Sequence, residues 1–459
     1  MFRNIFNTFA NCLKIPELKS RIIFTILVLA VCRLAAFVPI PGLNGTALAH
    51  FFAENANKGG VFSLYSMFSG GALENCAIGA LGIMPYISAT IIIQLLTAVI
   101  PTLSKLAREE NGRAQIIKYS RYLTVLLCIG WGAATAISWE HPQNVFSGYS
   151  GAPLVLTKHL WMYRVQTILV LTTGTMLLLW LGEQITERGV GNGVSLIITV
   201  NILARLPQAV VGLKDMFTST GGADARLNLG HAVALLLLLA GVIAGCIAIT
   251  QAQRKIPVQY AQRAVGRKMY QGGTSFMPLR VNYAGVMPVI FASAILMLPQ
   301  KIFQLLGQSY DIPFFKSIGR ALDYGAPWYL VLYGLMILFF SYFWVATQFN
   351  ELQIADDLKK NGGYIPGVRP GQATSDYLHN TMSRITLAGA VFLTVIAVIP
   401  IILFSAMQMP QGVAQFFGGT SLLITVGVML DTMRQMESHL MMRHYDGFLK
   451  KGKMRGRFS

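Results

Sequence analysis

Residues 22–31 read IIFTILVLAV, ten positions without a charge and without any alternation of apolar and polar side chains. A strand of a membrane barrel alternates with a period of two, whereas an unbroken apolar run suits a helix surrounded by hydrocarbon. Crossing ~30 Å of hydrocarbon takes about 20 such residues. Working outward from this run, ten stretches are predicted to span: 22–41, 76–100, 122–139, 162–182, 193–211, 231–250, 284–306, 328–348, 385–405 and 419–437. The fifth is interrupted by Ser195, Asn201 and Arg205. A lipid-embedded segment must satisfy its own backbone hydrogen bonds. The expected fold class is therefore an all-α membrane protein with ten transmembrane helices.

Composition agrees. Of 459 residues, 54% are hydrophobic and 12% charged, and mean hydropathy is +0.54. Soluble domains carry roughly 25% charged residues, and single soluble cores rarely grow beyond ~250–300 residues. The apolar content excludes disorder, and the length excludes a small disulfide scaffold. Cys12, Cys32, Cys76, Cys128 and Cys246 show no C-x-x-C spacing and read as small hydrophobes. No small-residue cleavage site follows the first apolar run, so no cleavable signal peptide is expected.

The 37 Lys+Arg against 19 Asp+Glu give a net charge of +18. These basic residues are unevenly distributed: counting those near span ends with the adjoining segments, 27 fall on one side of the spans and 8 on the other, with Arg33 and Arg205 set apart as lying within spans. By the positive-inside rule both termini are cytoplasmic, which requires an even number of spans. Two cytoplasmic loops are long for connectors. Loop 251–282 contains QRKIPVQYAQRAVGRKMYQGG, and loop 349–383 contains ADDLKKNGGYIPGVRPGQATS. A topological anchor accounts for their charge but not their length, so a docking surface is expected.

Residues 60–74 read GVFSLYSMFSGGALE, apolar but too short to cross. Such a piece is either a re-entrant half-helix enclosed by protein or water, or an interfacial helix on the outer surface. Pro85 in span 2 and Pro288 in span 7 predict bends. Ile83 and Ile87 are four apart and share a helix face, as do Val190 and Val194. For any one such residue, lipid contact or helix packing is the default. There is no G-x-x-x-x-G-K-[ST] motif and no H-E-x-x-H; His439 and His444 are five apart, and no βαβ unit surrounds Gly189–Gly193. Arg33 would cost roughly 2.5–3.5 kcal/mol if central and unpaired, so it is expected to face protein or water. Asp431 is expected near the cytoplasmic interface. Buried acids are few, which disfavours an ion-coupled secondary solute transporter, the alternative function for such a bundle.

Seven blocks together carry a family resemblance: FVPIPG (37–42), MFSGGAL (67–73), ALGIMPYISATIIIQLLT (80–97), WLGEQITERGVGNGVS (180–195), VNYAGVMPVIFAS (281–293), PGVRPGQ (366–372) and FGGTSLLI (417–424). They resemble the SecY family in its bacterial form, the channel subunit of the general protein-translocation complex. The resemblance implies two pseudo-symmetric halves around a central pore, with spans 1–5 in 22–212 and spans 6–10 in 213–437. A cytoplasmic N-terminal segment (1–21) and a basic cytoplasmic tail (438–459) flank them.

The resemblance further implies a plug at about 62–71, comprising Phe62, Ser63, Leu64, Tyr65, Ser66, Met67, Phe68, Ser69, Gly70 and Gly71. It implies a pore ring of Ile83, Ile87, Val190, Val194, Ile290 and Ile424, where the two valines depart from the isoleucine common in relatives. Spans 2 and 7 would form a lateral gate containing Pro85, Gln94, Thr97, Asn282 and Pro288. Arg254, Lys255, Arg263 and Arg369 would dock an external motor. The implied partners are SecE and SecG, the SecA ATPase, the translating ribosome, preproteins with their signal sequences, and the lipid bilayer. No cofactor or metal is implied. The implied location is the bacterial plasma (inner) membrane, and the implied activity is conduction of unfolded preproteins across it and of membrane helices sideways into lipid.

Overall fold

A computed structural model describes residues 15–54, 66, 68–108, 112–145, 153–157, 159–218, 229–260, 263–265, 268–270, 273–309, 313–323, 325–406 and 419–451. The helices in chain order are α1 Pro16–Leu34, α2 Gly45–Glu54, α3 Met84–Val99, α4 Pro101–Arg108, α5 Gly112–Glu140, α6 Pro142–Val145, α7 Leu160–Arg188, α8 Gly193–Leu203, α9 Leu206–Thr218 and α10 Leu229–Gln251. Strands β1 Gln253–Tyr260, β2 Arg263–Val265, β3 Lys268–Tyr270 and β4 Thr274–Arg280 follow. The chain continues with α11 Met287–Ser309, α12 Pro313–Ala321, α13 Pro327–Gln348, α14 Glu351–Lys360, strand β5 Gly363–Tyr364, α15 Gln372–Ala406 and α16 Gly419–Lys451.

Among the described residues, six helical stretches are long and apolar enough to cross a membrane: Ala114–Glu140, Leu160–Arg188, Gly193–Val211, Val233–Gln251, Pro327–Lys360 and Gln372–Ile402. The remaining expected spans each coincide with a helix that is shorter or carries charge: α1, α3, α11 and α16. These helices follow membrane rules rather than aqueous ones. α10 is apolar all round, with Leu236 and Leu237 exposed while Val242, Cys246 and Ile249 are buried. Exposed leucines and valines of this kind are stable where the surrounding solvent is hydrocarbon.

The helices sort into two neighbourhoods. α1 packs on α7 and α8, α8 on α7, and α5 on α3 and α7. In the later part of the chain α11 packs on α13 and α16, α13 on α15, and α10 on α15 and α16. The neighbourhoods meet where α3 packs on α11, α8 on α16, and α6 on α11.

Two expected bends are corrected. Pro85 and Pro288 are not inside their helices: each is the second residue of its own, because α3 begins at Met84 and α11 at Met287. A first-turn N–H has no intrahelical acceptor, so proline costs nothing there and its fixed φ suits the start of a helix. Among the described residues, Pro299 and Pro400 are the prolines inside helices. Expected span 76–100 is likewise only partly helical. Residues 70–83 form successive turns, and the 16-residue helix α3 follows them.

The two long loops build a small sheet. β1 and β4 are antiparallel from Gln253↔Arg280 to Gln259↔Thr274, and β5 joins the other edge of β1 through Gln259↔Tyr364 and Tyr260↔Gly363. Ile256 and Leu279 bury against Val345, Phe349, Ile365, Leu378 and Met382, which fastens the sheet to the ends of α13 and α15. The core proper is one large apolar cluster drawing on nearly every long helix.

Close backbone approaches depend on glycine. A Cβ at Gly174 on α7 would collide with the Ile78 carbonyl. We therefore expect Gly174→Val to destabilise the folded protein by about 1–3 kcal/mol, the usual cost of overpacking. Thermal unfolding of the detergent-solubilised protein would show this as a lower melting temperature, and an unchanged value contradicts the packing described.

Candidate functional site

Irregular backbone surrounds Gly70–Gly71. Ser66, Phe68 and Ser69 are helical, and the chain then turns sharply with φ +66° at Gly70 and +91° at Gly71. L residues rarely adopt such angles. A helix that ends this way leaves carbonyls without intrahelical partners. Distant side chains supply them: Asn201 Nδ2 of α8 donates to Phe68 O at 3.0 Å, and Arg33 Nη1 of α1 donates to Gly70 O at 2.9 Å. Within the turn, Gly71 N–H donates to Ser66 O at 2.9 Å.

An ion pair closes the other side. Arg205, in the break between α8 and α9, pairs with Glu74 at 2.6 Å, their side chains 15% and 17% exposed. Ser66 Oγ donates to Glu74 Oε1 at 2.7 Å and also accepts from Arg205 Nη2. Arg33 also lies over the Phe37 ring, 5.2 Å from its centroid, so it faces protein as expected. Of the expected plug, Ser66, Phe68, Ser69, Gly70 and Gly71 are in this assembly. Phe62, Ser63, Leu64, Tyr65 and Met67 lie outside the described residues.

Directly after the turns, Ile83 caps α3 and Ile87 lies one turn on. Ile83, Ile87, Ile290 of α11 and Ile424 of α16 are buried in the same apolar cluster, and Val194 of α8 packs against it. Val190 departs from the expectation. It is buried in a separate cluster with Leu18 and Met436. The cause is local: Val190 N–H is held by Thr25 Oγ1 of α1 at 3.0 Å, and Gly191 N–H by Gln435 Oε1 of α16 at 3.0 Å. These bonds tie the glycine turn to α1 and α16. Asn192 then caps α8 by accepting from Ser195 N–H at 3.2 Å.

Pro85 and Pro288 start the two helices that meet across the neighbourhoods. Thr97 Oγ1 donates to Ile93 O at 2.7 Å, and Asn282 Nδ2 to Gly285 O at 2.9 Å, so both polar groups are satisfied locally. Gln94 Oε1 is buried without a hydrogen-bond partner. The basic residues sit elsewhere. Arg254 and Lys255 are exposed on β1, and Arg369 is exposed in the turn after β5. Arg263 is on β2, and its side chain lies outside the described residues. Pairing of β1 with β5, reinforced by Tyr364 Oη donating to Gln259 Oε1 at 2.9 Å, makes one body of the two loops.

Sequence reasoning did not single out Glu74, Asn201 or Arg205 as site residues. The signal was present, since Asn201 and Arg205 interrupt span 5 and Glu74 follows the paired glycines. What was missing was the partnership of residues 131 positions apart in a chain of 459. Among the described residues, no group of three or more His, Cys, Asp or Glu side chains could hold a metal ion.

Comparison with known proteins agrees with this architecture. The SecY family model matches residues 77–433. The protein translocase subunit SecY of Chlamydia trachomatis serovar D is 43% identical, over 98% of this chain and 99% of that protein. Among solved structures, one describing how the SecY plug domain stabilises the closed state of the translocation channel and maintains a membrane seal matches with TM-score 0.56. It shares 18% identity, with 92% of each chain covered. Sec61 in a canine ribosome–channel complex from the endoplasmic reticulum matches with TM-score 0.54 and 16% identity, again over 92% of each chain. The bundle, its broken second span and a match over nearly the full length of both proteins lead to one conclusion: this chain belongs to the SecY family.

Proposed function

We propose that the chain is a passive protein-conducting channel of the bacterial plasma membrane, with both termini cytoplasmic, driven from outside by SecA or a translating ribosome. The observation that carries this reading is that Ile83, Ile87, Ile290 and Ile424 are all buried in the one large apolar core to which both helix neighbourhoods contribute, with Val194 packed against that core. A constriction of aliphatic side chains excludes water and ions by dewetting without binding any substrate. It also deforms around an extended polypeptide of any sequence, where a polar ring would select among them. Of the six residues expected in the ring, Val190 is buried apart from the large core, with Leu18 and Met436.

Lateral exit would run between α3 and α11, which pack on each other. Signal sequences and membrane helices would partition into lipid between them, along Gln94, Thr97 and Asn282. SecE would clamp the two halves and SecG would sit at the periphery. Nothing in the comparisons favours the solute-transporter alternative, and the Sec61 relative in a ribosome–channel complex supports a ribosomal partner. Contact of Arg254, Lys255, Arg263 and Arg369 with ribosomal RNA would be a salt-sensitive phosphate interaction.

Two outcomes are expected. Proteoliposomes bearing the reconstituted complex translocate a preprotein only with SecA and ATP, and Arg369→Glu lowers that rate at least about tenfold, equivalent to ~1.4 kcal/mol of docking. A wild-type rate in that variant refutes the docking role. In planar bilayers, deletion of 62–71 raises resting ion conductance, and an unchanged conductance removes the plug assignment.

A further inference from the structure

We propose that Arg33, Asn201 and the Glu74–Arg205 pair form a latch that positions the plug in the resting channel. The proposal rests on the plug reading above and adds the residues that hold that element in place. Arg33, Asn201 and Arg205 each reach it from chain well removed from the plug, while Glu74 follows it by three residues. Arg33 belongs to α1, Asn201 to α8, and Arg205 to the break after α8. Together they grip the described plug residues at three points: the Ser66 hydroxyl, the Phe68 carbonyl and the Gly70 carbonyl.

The chemistry suits a reversible hold. The turn at Gly70–Gly71 ends the short helix and points its free carbonyls at cationic and amide donors, the favourable sign for a helix C-terminus. A Cβ at Gly70 would meet Arg33 Nη1 and Asn201 Oδ1, so the donors approach this closely only because the position is glycine. Glu74 serves as the counter-charge: it pairs with Arg205 and accepts from Ser66 Oγ. Removing one partner of a largely buried pair leaves an uncompensated charge, which is far worse than exchanging both. The latch is also incomplete. Arg205 Nε is buried with no hydrogen-bond partner, so the guanidinium does not use every donor it has. Polar contacts of this kind release readily where water can replace each lost bond. An apolar seat would have no such substitute.

Resting ion conductance in planar bilayers tests the latch. Glu74→Gln and Asn201→Ala are each expected to raise it at least about tenfold, which corresponds to ~1.4 kcal/mol in the resting equilibrium. The swap Glu74→Arg with Arg205→Glu is expected to return conductance toward wild type, whereas a general packing defect would not respond to restored charge pairing. Asn201→Ala removes a neutral hydrogen bond, so it still reads the latch if Glu74→Gln fails to assemble. Wild-type conductance in the assembled point variants, alongside a raised conductance on deletion of 62–71, overturns the latch and leaves the plug reading intact. Unchanged conductance on that deletion overturns both.

Discussion

Hydrocarbon offers no hydrogen bonds, so every backbone N–H and C=O inside the membrane must find a partner within the protein. Long helices meet this demand automatically. The stretch from 68 to 83 does not, and much of the local architecture exists to complete it. Ile78 N–H is taken by Val38 O and Gly79 N–H by Ala35 O, at 2.9 and 3.0 Å. Ile40 N–H donates to Cys76 O at 2.9 Å, and Asn75 Nδ2 to Ala36 O at 3.3 Å. The C-terminal end of α1 and the residues after it thus act as a scaffold for a non-helical segment. Arg33 and Asn201 satisfy carbonyls that this scaffold does not reach.

That constraint explains why polar residues are placed as they are. Arg33, Glu74 and Arg205 bond to or pair beside the irregular backbone at 66–74, whereas Ile83, Ile87, Ile290 and Ile424 are aliphatic and buried in the large core. The two requirements of the proposed channel are thereby separated. Sealing and accommodation fall to side chains without polar atoms, and position falls to a few directional bonds beside them. Of the basic residues in the two long loops, Arg254 and Lys255 sit on β1, whose pairing with β5 brings together Gln259 and Tyr364, 105 residues apart in sequence.

Much of this was legible in the sequence. Unbroken runs such as 22–31 specify membrane helices because lipid imposes no periodicity, and helices occur at each expected span. The blocks around Ile83, Ile290 and Ile424 carried the family resemblance, and those residues do share one buried cluster. Other features were not legible. Whether Pro85 bends a helix or starts one depends on where the preceding turns end, and this is settled by tertiary hydrogen bonds from 35–40. Val190 shares the helical spacing of Val194, but Thr25 and Gln435 hold its turn elsewhere. Glu74 and Arg205 carry no local signal of their partnership.

The central claim is that a polypeptide passes through the aliphatic cluster. The most direct measurement places photoreactive probes singly at Ile83, Val194 and Ile424, and at the exposed Leu236 and Val331 as controls, then stalls a preprotein partway through the reconstituted channel. The account predicts crosslinks to the stalled chain at the three cluster positions, absent without SecA and ATP, and none at the controls. Capture at Leu236 or Val331 with none in the cluster would contradict it.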